Sequence, residues 1–459
     1  MISIGCDFGT SNSAAAIVKD GTAVDIQFKG ESFFPTCLYR RRRGKYFVGM
    51  DAIATYLSDH TGHQSKFVRR DLDRSIDINV VLSETKAAQL GMKEDSTTVS
   101  VPIHTLEDTA LKGRFFKSLK TALRYPTIRR MQVFNDNLPL FRLLEQFFRA
   151  IMDAVRAQTG SRCDAIVVGM PVPVEQEPAM KRHYEMQITT AAKEAGFREV
   201  SFALEPVAAS VERARTLADG TALVFDFGGG TLDCSVVGIE HHEAVVRANA
   251  GLLLGGDDFD REIQKLLHPL LGRGAHTRSI GGVLRDMPAV IYDKLLTLDG
   301  IMELSQAHYE TLFMEIRQTC DNPNAGAALY HLVKGNYGYA FMRACEETKI
   351  ALSSKTAAPM AVSFGPSGIA STIHRTEFET AIAGHAENVA SLIDEVIKRA
   401  GLTTADIDMV IPVGGSTQIP LVQQILERRF GRDRMKSAEL FTSISKGLAL
   451  IAHQRYASK

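Results

Sequence analysis

The stretch Ala222-Leu223-Val224-Phe225-Asp226-Phe227-Gly228-Gly229-Gly230-Thr231-Leu232-Asp233 decides the fold. An apolar run ends in an aspartate, a glycine turn follows, and a second apolar run returns. This is the pattern of two buried strands joined at a tight bend. Glycine at the bend lets backbone N–H groups approach an anion closely, and with the Thr231 hydroxyl they can cradle phosphate. The chain opens on the same design, Ile2-Ser3-Ile4-Gly5-Cys6-Asp7-Phe8-Gly9-Thr10-Ser11-Asn12-Ser13. Asp7 and Asp226 lie about 220 residues apart, roughly the span of one lobe. Two such loops, one in each half, predict a nucleotide held between two related α/β lobes.

The bulk properties narrow the partners. With 459 residues the chain has ample length for real cores, and its 45% hydrophobic and 23% charged content are ordinary for a globular protein. Its 53 basic and 53 acidic residues cancel, so no global field favours nucleic acid or an anionic membrane. No apolar run approaches the roughly 18 residues of a membrane span, and the N-terminus lacks a basic, apolar leader, so a cytoplasmic protein is expected. Cys6, Cys37, Cys163, Cys234, Cys320 and Cys345 are scattered without CxxC spacing. Reduced, buried thiols are expected rather than disulfides or a zinc site, although Cys6 and Cys234 flank loop aspartates where an oxidation switch is conceivable.

Along the chain, strands are expected over 23–28, 37–40 and 46–48, with Arg40-Arg41-Arg42-Arg43-Gly44-Lys45 as a solvated turn. Residues 58–112 read as an inserted subdomain. Apolar spacing predicts a helix over 140–159 stopped by Gly160, then a buried strand to Met170, a helix ending near Gly196 and a strand over 200–204. Glu205-Pro206 opens a further helix. In the second half, a helix starts at Gly255-Gly256-Asp257, and residues 269–335 read as a second irregular insertion. Helices are expected over 339–354, 376–400 and 443–455, and a strand over 408–413 that runs into Gly414-Gly415-Ser416-Thr417-Gln418 at a helix start.

Phosphoryl transfer needs positioning and charge neutralisation more than covalent chemistry. Asp7 and Asp226, at strand ends in facing lobes, are candidates to hold Mg²⁺, directly or through its water shell. Thr10, Ser11 and Thr231, with the amides of Gly9, Gly228, Gly229 and Gly230, would bind phosphates. Glu205 is placed to orient water, and Asp233 is a second base or metal-shell candidate.

Taken together these segments resemble a known family. Asp7 to Ser13 and Asp226 to Asp233 look like the two phosphate motifs of the actin/hexokinase/DnaK superfamily, Glu205 to Ser210 its connecting motif and Val413 to Pro420 its adenosine motif. The forms of these motifs, with Leu254 to Asp260 and Ala344-Cys345-Glu346-Glu347-Thr348-Lys349, are those of DnaK-like (heat-shock seventy) chaperones, the short YegD-like relatives being the closest match. The resemblance implies an actin-like ATPase fold of duplicated ribonuclease-H-like lobes with inserted subdomains. The first lobe would be 1–204, with an insertion at about 40–115. The second would be 205–442, with an insertion at about 257–360, and a helix over 443–459 would close on the first lobe. ATP or ADP with Mg²⁺ would occupy the cleft.

By position, the resemblance assigns Asp7, Glu205, Asp226, Thr231 and Asp233 to hydrolysis, with Mg²⁺ held at Asp7 and Asp226 through water. It assigns Gly9, Thr10, Ser11, Asn12, Gly228, Gly229, Gly230, Gly255 and Gly256 to nucleotide binding, Glu346 and Lys349 to the ribose, and Ser353 to the base. Gly414, Gly415, Ser416 and Gln418 would pass beneath the nucleoside.

Three departures limit the likeness. The family's lysine after the early glycine is absent from Gly49-Met50-Asp51-Ala52-Ile53-Ala54-Thr55, so slow turnover is expected unless Lys66 or Lys117 substitutes. Its adenine-sandwiching arginines fall on Ile350 and Gln418, which removes about 0.5–2 kcal/mol of cation–π contact each. No interdomain linker, peptide-binding β-sandwich or helical lid is read, so no substrate-binding domain is expected. The resulting expectation is a monomeric or weakly associating ATP-binding protein with slow hydrolysis, read by an unknown protein partner. A nucleotide-gated module without hydrolysis and a small-molecule kinase using Asp233 remain as alternatives.

Overall fold

The computed structural model describes residues 2–62, 67–81, 96–108, 111–214, 219–241, 243–278, 282–436 and 442–456. Its first sheet is built on β1 (Ser3–Phe8), which turns back through Gly9-Thr10-Ser11 into antiparallel β2 (Asn12–Lys19) and then β3 (Thr22–Asp25). On its other edge β1 is parallel to β4 (Ala165–Met170), and β4 is parallel to β5 (Glu199–Leu204). The second sheet repeats this order around β6 (Gly220–Phe227). That strand is antiparallel to β7 (Leu232–Glu240), with β8 (Glu243–Leu252) beyond, and parallel to β9 (Met409–Val413).

Both sheets are covered on both faces, which is why their central strands lack polar alternation. Ile4, Cys6 and Phe8 of β1 face α1 (Leu140–Thr159) and α2 (Pro178–Ala195), where Phe8 meets Phe147 edge-on at 5.5 Å. Gly160 ends α1 in the left-handed region at φ 71°, as its position after the last apolar repeat predicts. Leu223, Phe225 and Phe227 of β6 face the second-lobe core, which takes in α4 (Gly256–Leu267), α5 (Gly338–Ser354) and α6 (Ala383–Arg399).

The remaining faces meet in the middle. Ala165 and Val167 of β4, and Ala222 and Val224 of β6, share one cluster with α3 (Glu205–Ala214) and α7 (Ser443–Tyr456). Backbones there approach closely, since a β-carbon on Gly447 would overlap the Ala208 carbonyl and one on Gly5 would overlap Ala449. These two helices link the sheets and put the loops after β1 and β6 opposite each other.

Several expectations need correction. Residues 269–335 are largely helical, forming helices Ala289–Leu295, Leu298–Leu304, Glu310–Thr319 and Pro323–Lys334. Their apolar residues, among them Ile291, Ile301, Phe313 and Leu329, are buried in the second-lobe core. Helices of seven to twelve residues show too few turns for a clear apolar period.

The span 376–400 is two helices, Arg375–Ala381 and α6, with Ile382 between them outside helical geometry at φ −93° and ψ 4°. A hairpin of Ala357–Ser363 and Gly368–His374 was not expected. The arginine run is not wholly solvated. Arg40 is buried and paired with Asp136, Arg41 pairs with Asp59, and Arg42 packs over Phe134. Of the insertion at 58–112, the backbone forms two long antiparallel strands, Phe67–Val81 and Ser96–Asp108, and the rest lies partly outside the described residues. All six cysteines are free and buried, and burial pushes the Cys6 and Cys234 thiols up, as expected of core residues.

Candidate functional site

The loop after β6 is held from three sides. Gly228 N donates to Thr231 O at 3.0 Å and closes the turn. The first amides of α4 donate onto it, Gly256 N to Gly228 O at 3.0 Å and Asp257 N to Gly229 O at 2.7 Å. From the turn after β9, Ser416 Oγ donates to Gly228 O at 2.9 Å. Gly414 in that turn sits at φ 86°, and a side chain there would run into Phe227 O, so glycine is required.

The loop after β1 faces this assembly at contact distance. A β-carbon on Gly229 would overlap Ser11 Oγ, and one on Gly230 would lie 3.0 Å from Thr10 Cγ2. Ser11 Oγ is buried without a hydrogen-bond partner among the described residues. An orphaned hydroxyl between two glycine-lined loops fits an anionic group placed there.

Beneath the loops lies an acidic cluster. Asp226 and Asp233 are direct cross-strand partners, Asp7 ends β1, and buried Glu205 starts α3. Burial, then the Glu205 carboxylate, pushes Asp7 up to about 7 and Asp233 up to about 6. Burial and the neighbouring Glu205, Asp7 and Asp233 push Asp226 well above the usual carboxylate range.

One ammonium answers them. Lys120 Nζ lies 3.0 Å from Glu205 Oε1, both side chains being nearly buried at 13% and 8% exposure. Burial pulls Lys120 down, but Glu205, Tyr184 and Asp7 outweigh it and hold it protonated. Four carboxylates against Lys120 and the nearby Arg124 leave a site short of positive charge, which suits a divalent cation. Among the described residues no three acidic, histidine or cysteine side chains converge to ligate a metal directly. An ion such as Mg²⁺, which keeps several waters, fits this arrangement as an outer-sphere guest.

On the nucleoside side, Glu346, Lys349, Ile350 and Ser353 of α5 face Gly414, Gly415, Ser416 and Gln418 across a cleft of about 440 Å³. Lys349 is braced, lying 2.9 Å from Asp260 Oδ1 and donating to Gly256 O at 3.0 Å. Ile350 is 59% exposed on the cleft wall.

The same cleft is lined by Asp7, Gly9, Thr10, Ser11, Asn12, Glu205, Asp226, Gly228, Gly229, Gly230, Thr231, Asp233 and Gly256. Gly255 is the exception, because it supports the loop from behind, where a β-carbon would collide with the Gly229 backbone. The expected lack of a cation is corrected by Lys120, which the sequence reading missed together with Arg124, Asp257 and Phe33. Lys117 is engaged elsewhere, 3.2 Å from Asp257 across the cleft, and Lys66 lies outside the described residues. The only local signal for Lys120 was its spacing four residues before Arg124 on the 3₁₀ turn Leu119–Arg124.

Two α/β lobes whose glycine loops face one another over a carboxylate cluster define a nucleotide-binding domain. Comparison with known proteins places that domain more narrowly. The model of the family described as Hsp70 protein matches residues 145–274 and 339–455, more than half of the chain, and the chain belongs to this family. It is 24% identical to "Heat shock 70 kDa protein 6, chloroplastic" of Arabidopsis thaliana over 94% of the chain and 49% of that protein. It is 24% identical to "Chaperone protein dnaK" of Cyanidioschyzon merolae over 98% of the chain and 61% of that protein. The "Chaperone protein HscA" of Pectobacterium atrosepticum is 25% identical over 98% of the chain and 58% of its own length. The chain thus spans about half to three-fifths of the curated relatives it matches, corresponding to nucleotide-binding domain homology with Hsp70/DnaK chaperones.

Proposed function

We propose that this chain binds Mg²⁺–ATP in the cleft, hydrolyses it slowly, and signals its nucleotide state to a protein partner through lobe closure. The single observation that carries the proposal is the meeting of Asp7, Glu205, Asp226, Asp233 and Lys120 beneath two apposed phosphate loops. The amides of Gly9, Gly228, Gly229 and Gly230 and the hydroxyls of Thr10, Ser11 and Thr231 bind the phosphate oxygens. Bound Mg²⁺ supplies charge neutralisation between phosphates and carboxylates. Asp7 and Asp226 hold its waters, and Glu205, or in its place Asp233, orients the attacking water. Lys120 stabilises the charge that spreads onto the transferred phosphoryl oxygens.

Glu346 and Lys349 flank the ribose, while Ile350 and Gln418 form a base clamp without a cation. Weak discrimination between adenine and guanine follows from that clamp. The repeated strand order of the two sheets supports a duplicated ribonuclease-H-like origin of the lobes. The motif forms support a place among short YegD-like relatives. The deciding measurement is ATP turnover in the wild type and Asp226→Asn. Equal rates would remove this cleft from consideration, intact ATP after long incubation would favour a nucleotide-gated module, and turnover requiring an added metabolite would favour a kinase.

A further inference from the structure

A second cavity of about 310 Å³ lies beside the proposed nucleotide cleft and shares Asp257 and Glu346 with its wall. Both lobes build it. Phe115 and Phe116 come from the strand Gly113–Lys117, Leu119 from the turn that follows, Gln264 from α4, and Tyr339 and Met342 from α5. Phe115 and Tyr339 meet edge-on at 5.4 Å between ring centres, so an aromatic wall crosses from one lobe to the other.

Gln264 is the feature without an internal explanation. It is 1% exposed, and both its Nε2 and its Oε1 lack a hydrogen-bond partner among the described residues. Leaving both ends of a buried amide unpartnered is costly, so a donor and an acceptor side by side call for a ligand that presents the reverse pair. The lining carries no net positive charge, because its four basic side chains, Arg114, Lys117, Arg261 and Arg343, are matched by four acidic ones, Asp257, Asp260, Asp299 and Glu346. That balance disfavours a phosphate or carboxylate. An aromatic and thioether lining around one carboxamide suits a flat, neutral ring with adjacent hydrogen-bonding atoms.

We propose that this inter-lobe cavity is a second ligand site, for a neutral nucleobase or nucleoside, read by the Gln264 carboxamide. A molecule seated there touches both lobes, holds them together and slows release of nucleotide from the adjoining cleft.

The test is saturation-transfer NMR with adenosine, guanosine, cytidine and uridine on the full chain, in saturating ADP and Mg²⁺. The expected result is that at least one nucleoside binds, is not displaced by a tenfold rise in ADP, and slows ADP release at least threefold. Gln264→Leu is expected to weaken it at least tenfold while ADP affinity, which also reports folding, stays within twofold. Met342→Trp, which fills the cavity from α5 and leaves Gln264 in place, is expected to do the same and decides the matter if Gln264→Leu does not fold. The proposal is overturned if no nucleoside binds, if ADP displaces every one that does, or if binding survives Met342→Trp. Failure of ADP itself to bind would count against the proposed function, and dependence on Met342 would still decide this site.

Discussion

Replacing Lys120 with methionine separates two roles that one ammonium plays. The Lys120–Glu205 pair is 3.0 Å long with side chains 13% and 8% exposed. At an effective dielectric near 20 its gross attraction is roughly 5 kcal/mol, much of it offset by the desolvation of both groups. Lys120→Met leaves Glu205 buried without its ammonium and beside three more acids, a loss of about 3–5 kcal/mol in stability. It also removes the cation proposed to stabilise the transferred phosphoryl group, worth about 10²–10³ in turnover by analogy with an oxyanion donor.

The double variant Lys120→Met/Glu205→Gln isolates the buried-pair energetics. A neutral amide no longer needs the ammonium, so the double variant should recover most of the stability in urea denaturation. Catalysis is read in Lys120→Met alone, because Glu205 is itself proposed to orient the attacking water; that variant's single-turnover release of radiolabelled phosphate should fall at least 100-fold below wild type. Wild-type hydrolysis in Lys120→Met would refute the catalytic role, and unchanged urea stability in that variant would refute the buried-pair energetics.

Further outcomes follow from single features. Gly229→Ala puts a methyl group onto Ser11 Oγ, so the loops cannot close fully; calorimetry should show ADP affinity at least tenfold weaker with thermal stability little changed. Restoring a cation to the base clamp by Ile350→Arg should strengthen ATP binding by about 0.5–2 kcal/mol and raise the preference over GTP, read by competition against a fluorescent nucleotide. His268 is buried and its imidazole is pushed down to about 4, first by burial and then by Arg273. The folded state therefore binds that proton less readily than the unfolded chain, so stability is lost as pH falls from about 6.5 to about 4, by roughly 3 kcal/mol. In urea titrations across that range His268→Gln should remove this part of the slope, and an unchanged slope would show that His268 does not titrate there.

The readable parts of this protein are those whose physics is local. An aspartate at a strand end followed by glycines is a turn that any neighbouring chain would recognise, and both loops form where the sequence predicts them. The long helix α1 was legible because twenty residues display its apolar stripe several times over, and Gly160 punctuates it. Short helices between 289 and 334 were not, since each buries a few residues against partners far away in the chain. Lys120 was missed for the same reason. It lies 85 residues from Glu205, and nothing in Leu119–Arg124 announces that a carboxylate waits there.

Residue order alone was enough to establish two glycine loops, the strands that carry them and the acids at their ends, because backbone sterics and apolar periodicity act over a few residues. Folding in three dimensions was needed to bring Ser11 against Gly229, to bury Lys120 on Glu205, and to enclose a cavity around Gln264. Those relations depend on the crossing of α3 and α7 between two sheets, where Gly447 meets the Ala208 backbone. Distances across such a crossing are set by close packing of side chains from remote segments, and no local pattern encodes them.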